Sequence, residues 1–324
     1  PVSSVGGLAA TDSGEVILHI ESFTQPGKFV RFRNDDAATE DTGLINGAPV
    51  DLSEVNVVRE MATSKDGTQV PLTILLPPGA KAGGNHPCLA TGYGGYGISI
   101  DPRFRPMDKV LLENGVIYVI ANLRGGGEFG EAWHLGGNLT NKQNVFDDFA
   151  AVLKHLIARG YTSPEKLAII GGSNGGLLMG ATMTQHPEMM RAVITKVGIY
   201  DMLRVELSSN GAFNIPEFGT VKDREQFHAL RAYSPYHAVK DGTSYPATLL
   251  TTGENNPRVD PMQSRKMTAR LQAANAAETP ILLRTNAKTG HGADASLNDR
   301  IDEEVDVLAF LFWQLGIREP VLKK

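Results

Sequence analysis

The chain has 324 residues, with 31 Lys and Arg against 36 Asp and Glu, so it carries a formal net charge of -5 at pH 7. That balance excludes a surface built mainly for nucleic acid or an anionic membrane. A single cysteine, Cys88, excludes an internal disulfide and a cysteine-built metal site, and no HExxH helix or EF-hand loop implies a metal or other cofactor.

In chain order, 15–20 (EVILHI) and 29–32 (FVRF) read as strands of a hairpin around the turn 24–28 (TQPGK). A polar, acidic stretch at 34–41 then leads to a larger body starting near Val55. The turn KDGT at 65–68 joins antiparallel opening strands at 57–61 and 70–76. Strands at 87–90, 116–121, 167–170, 192–196, 247–252 and 280–284 follow, with helices at 106–114, 144–159, 175–186, 260–273 and 301–315. This alternation predicts an α/β fold with a doubly wound, mostly parallel sheet. The length suits one such domain plus an appendage, divided as 1–50 and 51–324. The longest apolar runs, such as 116–121, are too short to span a bilayer. The composition fits a soluble chain, with the compartment left open between cytoplasm and periplasm.

The densest chemical signal is Gly171-Gly172-Ser173-Asn174-Gly175-Gly176, between the apolar runs 167–170 and 177–181. Strand, tight turn and helix with a serine at the apex form a nucleophile elbow. Gly171 and Gly175 are expected where any larger side chain would clash, and the Asn174 N–H at the helix start is expected to stabilise an oxyanion. A hydroxyl needs a base. Of the eight histidines, His291 alone lies downstream of the serine on a glycine-bracketed loop (NAKTGHGA, 286–293) between a strand and the last helix. The order serine, acid, histidine puts the acid on the loop 253–261, which offers Glu254 and Asp260. The glycine-rich loops at 92–97 and 124–130 lack the lysine and the spacing of a phosphate cradle. Arg124 and Glu128 read as structural or amine-contacting groups, and Asp147 and Asp148 as helix-capping and loop-tethering groups.

From about Val55 almost to the end, the chain resembles the catalytic domain of the prolyl oligopeptidase family of serine peptidases. The resemblance rests on GYGGY (92–96), NLRGGGEFG (122–130), NVFDDF (144–149), GGSNGG (171–176), PRV (257–259) and GHG (290–292). It implies an α/β-hydrolase fold with nucleophile Ser173, base His291, and oxyanion donors in the Asn174 N–H and the Tyr93 hydroxyl. It also implies that Arg258 binds a substrate carbonyl, and that the acid position falls on Asn256. Asparagine carries no charge, and its amide can accept from the imidazole or donate to it. A tryptophan that stacks on the substrate proline falls on Asn214, beside Phe213, four residues before Phe218 of the Glu217-Phe218-Gly219 triplet. Tyr96, Ile199, Phe218 and Val259 complete an apolar pocket in the family pattern.

Residues 1–50 resemble the last strands of the β-propeller that precedes this domain in the family. With Pro1 first and no initiator methionine, the expectation is a fragment or processed product of a longer protein, or else a short lid hairpin. The expected activity is cleavage of short peptides through an acyl-enzyme on Ser173. The alternatives are a carboxylesterase on the same scaffold and a variant disabled by Asn256. The expected partner is a short peptide or small ester, with no nucleic acid, membrane, cofactor or metal.

Overall fold

The computed structural model describes residues 2–12, 14–33, 38–45, 47–48, 50–292 and 295–321. Among the described residues the chain opens with four strands, β1 (Ser3–Ala10), β2 (Val16–Ser22), β3 (Lys28–Arg33) and β4 (Ala38–Ile45). They pair antiparallel in that order, and the expected hairpin is the central pair β2–β3. The polar stretch expected as a connector is corrected in part. Residues 38–41 belong to β4, and 34–37 lie outside the described residues. Neither SSVGGLAA of β1 nor ATEDTGLI of β4 has the β-branched alternation that marks a strand, so pairing rather than pattern reveals them. The small sheet is tied to the body where Ser4 Oγ donates to the Pro102 carbonyl (2.9 Å) and Glu21 accepts from the Phe104 N–H (3.0 Å).

The body continues with β5 (Asn56–Thr63), β6 (Gln69–Leu76), β7 (Cys88–Gly92), α1 (Asp108–Glu113), β8 (Ile117–Ala121), α2 (Glu131–Leu135) and α3 (Gln143–Ala158). Then come β9 (Leu167–Gly172), α4 (Asn174–Gln185), β10 (Ala192–Lys196), α5 (Gly211–Phe218), α6 (Arg224–Tyr233) and α7 (Pro235–Ala238). The last elements are β11 (Ala247–Gly253), α8 (Met262–Ala274), β12 (Ile281–Asn286) and α9 (Leu297–Leu315). The strands form one sheet in the order β12-β11-β10-β9-β7-β8-β6-β5, parallel except where β6 pairs with β5 and β8. The helices α2 and α5 to α7 were not expected from the sequence. The last helix starts a turn earlier than expected because Ser296 caps it, its hydroxyl accepting from the Asp299 N–H.

Period-two alternation splits the sheet's side chains between two layers. Ala90, Val119, Ile169, Val193 and Leu250 join α3, α4 and α8, while Leu89, Ile120, Ala168, Ile194 and Leu249 join α1 and α9. Cys88 is an ordinary core residue of the first layer. The chain runs from β7 through α1 to β8, then crosses back through α3 to β9 on the other side of β7. That reversal opens a crevice beyond the C-terminal ends of β7 and β9, where ligands of open α/β sheets bind. Tyr93 follows β7 and Ser173 follows β9.

The expectation that Asp147 and Asp148 cap a helix is corrected, since α3 begins at Gln143 and both lie inside it. Tethering is what Asp148 does. Fully buried, it accepts from Ser64 Oγ and from Arg124 Nε (2.9 Å) and Nη2 (2.6 Å), and Arg124 also pairs with Asp66 at 2.6 Å. Arg124 is thus structural.

Candidate active site

Ser173 sits between β9 and α4 with φ 57° and ψ -120°, left-handed backbone that strains a residue bearing a Cβ. Its N–H donates to the Lys196 carbonyl (2.9 Å), which ties the turn to the end of β10. A Cβ at Gly171 would collide with the Gly175 carbonyl oxygen, as expected. The expectation for Gly175 is corrected: its Cβ would lie a tight 3.1 Å from the Gly92 oxygen, whereas one at Gly176 would lie 2.5 Å from Gly198 Cα. Gly176 is therefore the second position that cannot carry a side chain. Ser173 itself is half-buried rather than exposed. The Asn174 N–H begins α4, where helix geometry supplies no intrahelical acceptor.

The loop after β7 is laid against this turn. Asn174 Nδ2 donates to the Tyr93 carbonyl at 2.6 Å, and a Cβ at Gly95 would come within 2.6 Å of the same nitrogen. The half-buried Tyr93 phenol lies close to the Ser173 side chain. Burial raises its pKa, with Glu217 acting the same way and Ser173 and Arg258 acting against it. It therefore stays a protonated donor at neutral pH, as an oxyanion partner must.

His291 and Asn256 come together. The loop after β11 is zipped to the loop after β12 by Glu254 N–H to the Asn286 carbonyl (2.9 Å) and Asn255 N–H to the Thr289 carbonyl (3.1 Å). Asn256 Oδ1 lies 3.1 Å from His291 Nδ1, and it accepts from the backbone N–H of Arg258 and of Val259, each at 3.0 Å. Two backbone donors can be met only by the oxygen of the amide, so its orientation is fixed. The sequence left donation to the imidazole open. The geometry excludes it, because an accepting Oδ1 requires the proton on Nδ1 and leaves Nε2 as the basic nitrogen. Among the described residues Asn256 Nδ2 is buried without a hydrogen-bond partner, at the corner where a carboxylate would present its second oxygen. The neighbouring carboxylates are engaged elsewhere, Glu254 with Arg265 (3.1 Å) and Asp260 in accepting the Met262 N–H (2.9 Å) at the start of α8. Ala293, in the expected histidine loop, lies outside the described residues.

Of the residues expected to line a pocket, Asn214 and Phe218 touch Tyr96, as does Phe213. The hydroxyl of Tyr96 donates to Asn214 Oδ1 at 2.8 Å, its ring meets Phe218 edge-on at 5.7 Å, and Phe213 stacks on it at 5.9 Å with 16° between the planes. Ile199, Phe218 and Val259 are buried in the cluster against which Tyr96 packs. Asn214 is buried and committed to Tyr96, whereas Phe213 is 67 % exposed. Arg258 is exposed on the loop after β11.

The sequence profile of the prolyl oligopeptidase family matches residues 102–318. The chain is 38% identical over 307 residues to the prolyl endopeptidase of Elizabethkingia miricola, covering 94% of this chain and 43% of that one. The chain belongs to the prolyl oligopeptidase family. A solved structure from a study of two prolyl endopeptidases superposes with a TM-score of 0.93 at 39% identity, over 98% of this chain and 47% of that one. Oligopeptidase B from Leishmania major gives a TM-score of 0.89 at 26% identity, over 98% and 45%. The chain thus spans less than half the length of these relatives.

Sequence reasoning did not foresee a buried charged cluster beside the expected pocket residues. Glu217 of α5 is buried between Lys142 Nζ and His134 Nε2, each 2.8 Å from one of its oxygens. Their positions lie far apart along the chain, and the only signal was the acid-aromatic-glycine triplet itself. Among the described residues no group of three or more His, Cys, Asp or Glu is placed to hold a metal ion, and no helix is long and apolar enough to cross a membrane.

Proposed function

We propose that the chain is a serine peptidase that cleaves short peptides after a small apolar residue, proline included, through an acyl-enzyme on Ser173. The observation that carries the proposal is the strained Ser173 at the start of α4, with the half-buried Tyr93 phenol close by and His291 set on the Asn256 amide oxygen. Ser173 Oγ attacks the scissile carbonyl while His291 Nε2 takes its proton. The new oxyanion is received by the Asn174 N–H and the Tyr93 O–H, donors already in place before charge develops. Collapse expels the amine, which takes the proton back from His291, and water then hydrolyses the ester by the same route. Arg258 is assigned to a substrate carbonyl, and Tyr96, Ile199, Asn214, Phe218 and Val259 to the pocket. Both oxygens of Glu217 are taken up by Lys142 and His134, so it offers no free carboxylate to a basic side chain.

Asn256 favours a second reading, an esterase. An imidazolium without an anionic partner limits amide cleavage most, because the amine must be protonated as it leaves, while an ester's leaving group departs unaided. Parallel assays of a prolyl nitroanilide and a nitrophenyl ester test the proposal. Turnover of both supports a peptidase, and turnover of the ester alone replaces it with the esterase reading.

With Asn214 committed to Tyr96, the exposed face of Phe213 is the aromatic surface left for a proline ring. Phe213→Ala is expected to lower the proline-over-alanine ratio of kcat/KM by about 2- to 10-fold, the worth of one ring contact. An unchanged ratio would move the platform to another aromatic.

A further inference from the structure

A lysine ammonium buried as deeply as that of Lys142, which is 1 % exposed, calls for a reason. Desolvating it is costly, and apolar replacements of buried ion pairs often stabilise a fold. Stability alone therefore does not account for it. Its hydrogen bonds do, because they join the separate segments of the site. Lys142 directly precedes the first turn of α3. Its Nζ donates to the Gly94 carbonyl at 2.9 Å, in the Gly94–Gly95 peptide one residue past Tyr93, next to the Tyr93 carbonyl that Asn174 Nδ2 holds. It also donates to Glu217 Oε1 at 2.8 Å and lies 5.3 Å from the centre of the Phe218 ring, both on α5. The other oxygen of Glu217 is held by His134 Nε2. No larger residue fits at Gly94, since a Cβ there would collide with Val145, and its φ of 62° favours glycine.

We propose that Lys142 is a positioning residue that holds the Tyr93 phenol at the oxyanion site, and that Glu217 links this hold to the pocket helix α5. This rests on the hydrolase reading of Ser173 and Tyr93. The ammonium touches no reacting atom. It anchors the Gly94–Gly95 peptide, while Asn174 holds the peptide between Tyr93 and Gly94, and together they limit where the phenol points, so the effect of Lys142 falls on the transition state rather than on substrate binding.

A double-mutant cycle on the full chain tests this, with a nitrophenyl ester as substrate and active sites counted by fluorophosphonate labelling. Lys142→Met is expected to lower kcat about 10- to 100-fold with KM nearly unchanged, bounded by the ~10²–10³ that one oxyanion donor supplies. In the Tyr93→Phe background the same substitution should cost less than about 3-fold, because the group it positions is gone. Equal losses in both backgrounds overturn the proposal. Lys142→Met leaves Glu217 buried without its ammonium, so Lys142→Met/Glu217→Met serves as the stable counterpart. It should recover the thermal midpoint but not kcat, and full recovery of kcat shows Lys142 to be merely structural. A parent chain inert to both ester and fluorophosphonate removes the hydrolase reading and this inference together. An active parent with equal losses removes this inference alone.

Discussion

Ser173→Ala is expected to abolish turnover of both ester and peptide substrates, leaving no more than the residue that binding and the oxyanion donors give without a nucleophile. In serine proteases built on this template that residue is about 10³–10⁴ over the uncatalysed reaction. The fold should be indifferent. Serine and alanine bear the same Cβ at φ 57°, so the backbone strain is unchanged. Kinetics beside a thermal melt check this. A midpoint falling by many degrees would mean that Ser173 holds the turn together, and unchanged turnover would remove it as nucleophile.

Asn256→Asp should raise turnover, and the geometry sets its size. In the serine-protease template the opposite change costs about four orders, largely because the amide leaves the histidine in the wrong tautomer. Here the amide oxygen faces His291, so only the missing charge separates Asn256 from an acid. A carboxylate about 4 Å from an imidazolium stabilises it by about 2–4 kcal/mol at the effective dielectric of a partly buried site, or ~30- to ~1,000-fold in acylation. Aspartate keeps the turn, since its oxygen accepts the same N–H groups of Arg258 and Val259, and it removes the orphaned Nδ2. The gain should appear in kcat more than in KM, because the charge it answers exists only in the transition state. Glu254→Gln and Asp260→Asn should change little. Loss of activity in either, with none gained from Asn256→Asp, would place the third member on a neighbouring carboxylate.

The elbow and the histidine loop were legible because each is written in contiguous residues. Glycines around Ser173 and around His291, between runs of the right period, carry the geometry locally. The strands of the main sheet were legible for the same reason, as apolar runs bounded by turns. What stayed hidden depends on residues that meet only in the fold. The facing of the Asn256 amide is decided by two backbone N–H groups, and the burial of Lys142 by Glu217, which lies on a helix the pattern did not show. Phe213 was noted as a neighbour, but its stacking on Tyr96 requires that helix as well. In β4, exposed polar residues hide a strand that pairing with β3 creates.

The central claim is that Ser173 is a nucleophile activated by His291, and covalent labelling tests it most directly. A fluorophosphonate should attach to the peptide that carries Ser173 at one equivalent per chain, as read by mass spectrometry. The rate of labelling should fall by orders of magnitude in His291→Ala. No adduct on Ser173, or an adduct that forms as fast without His291, would contradict it.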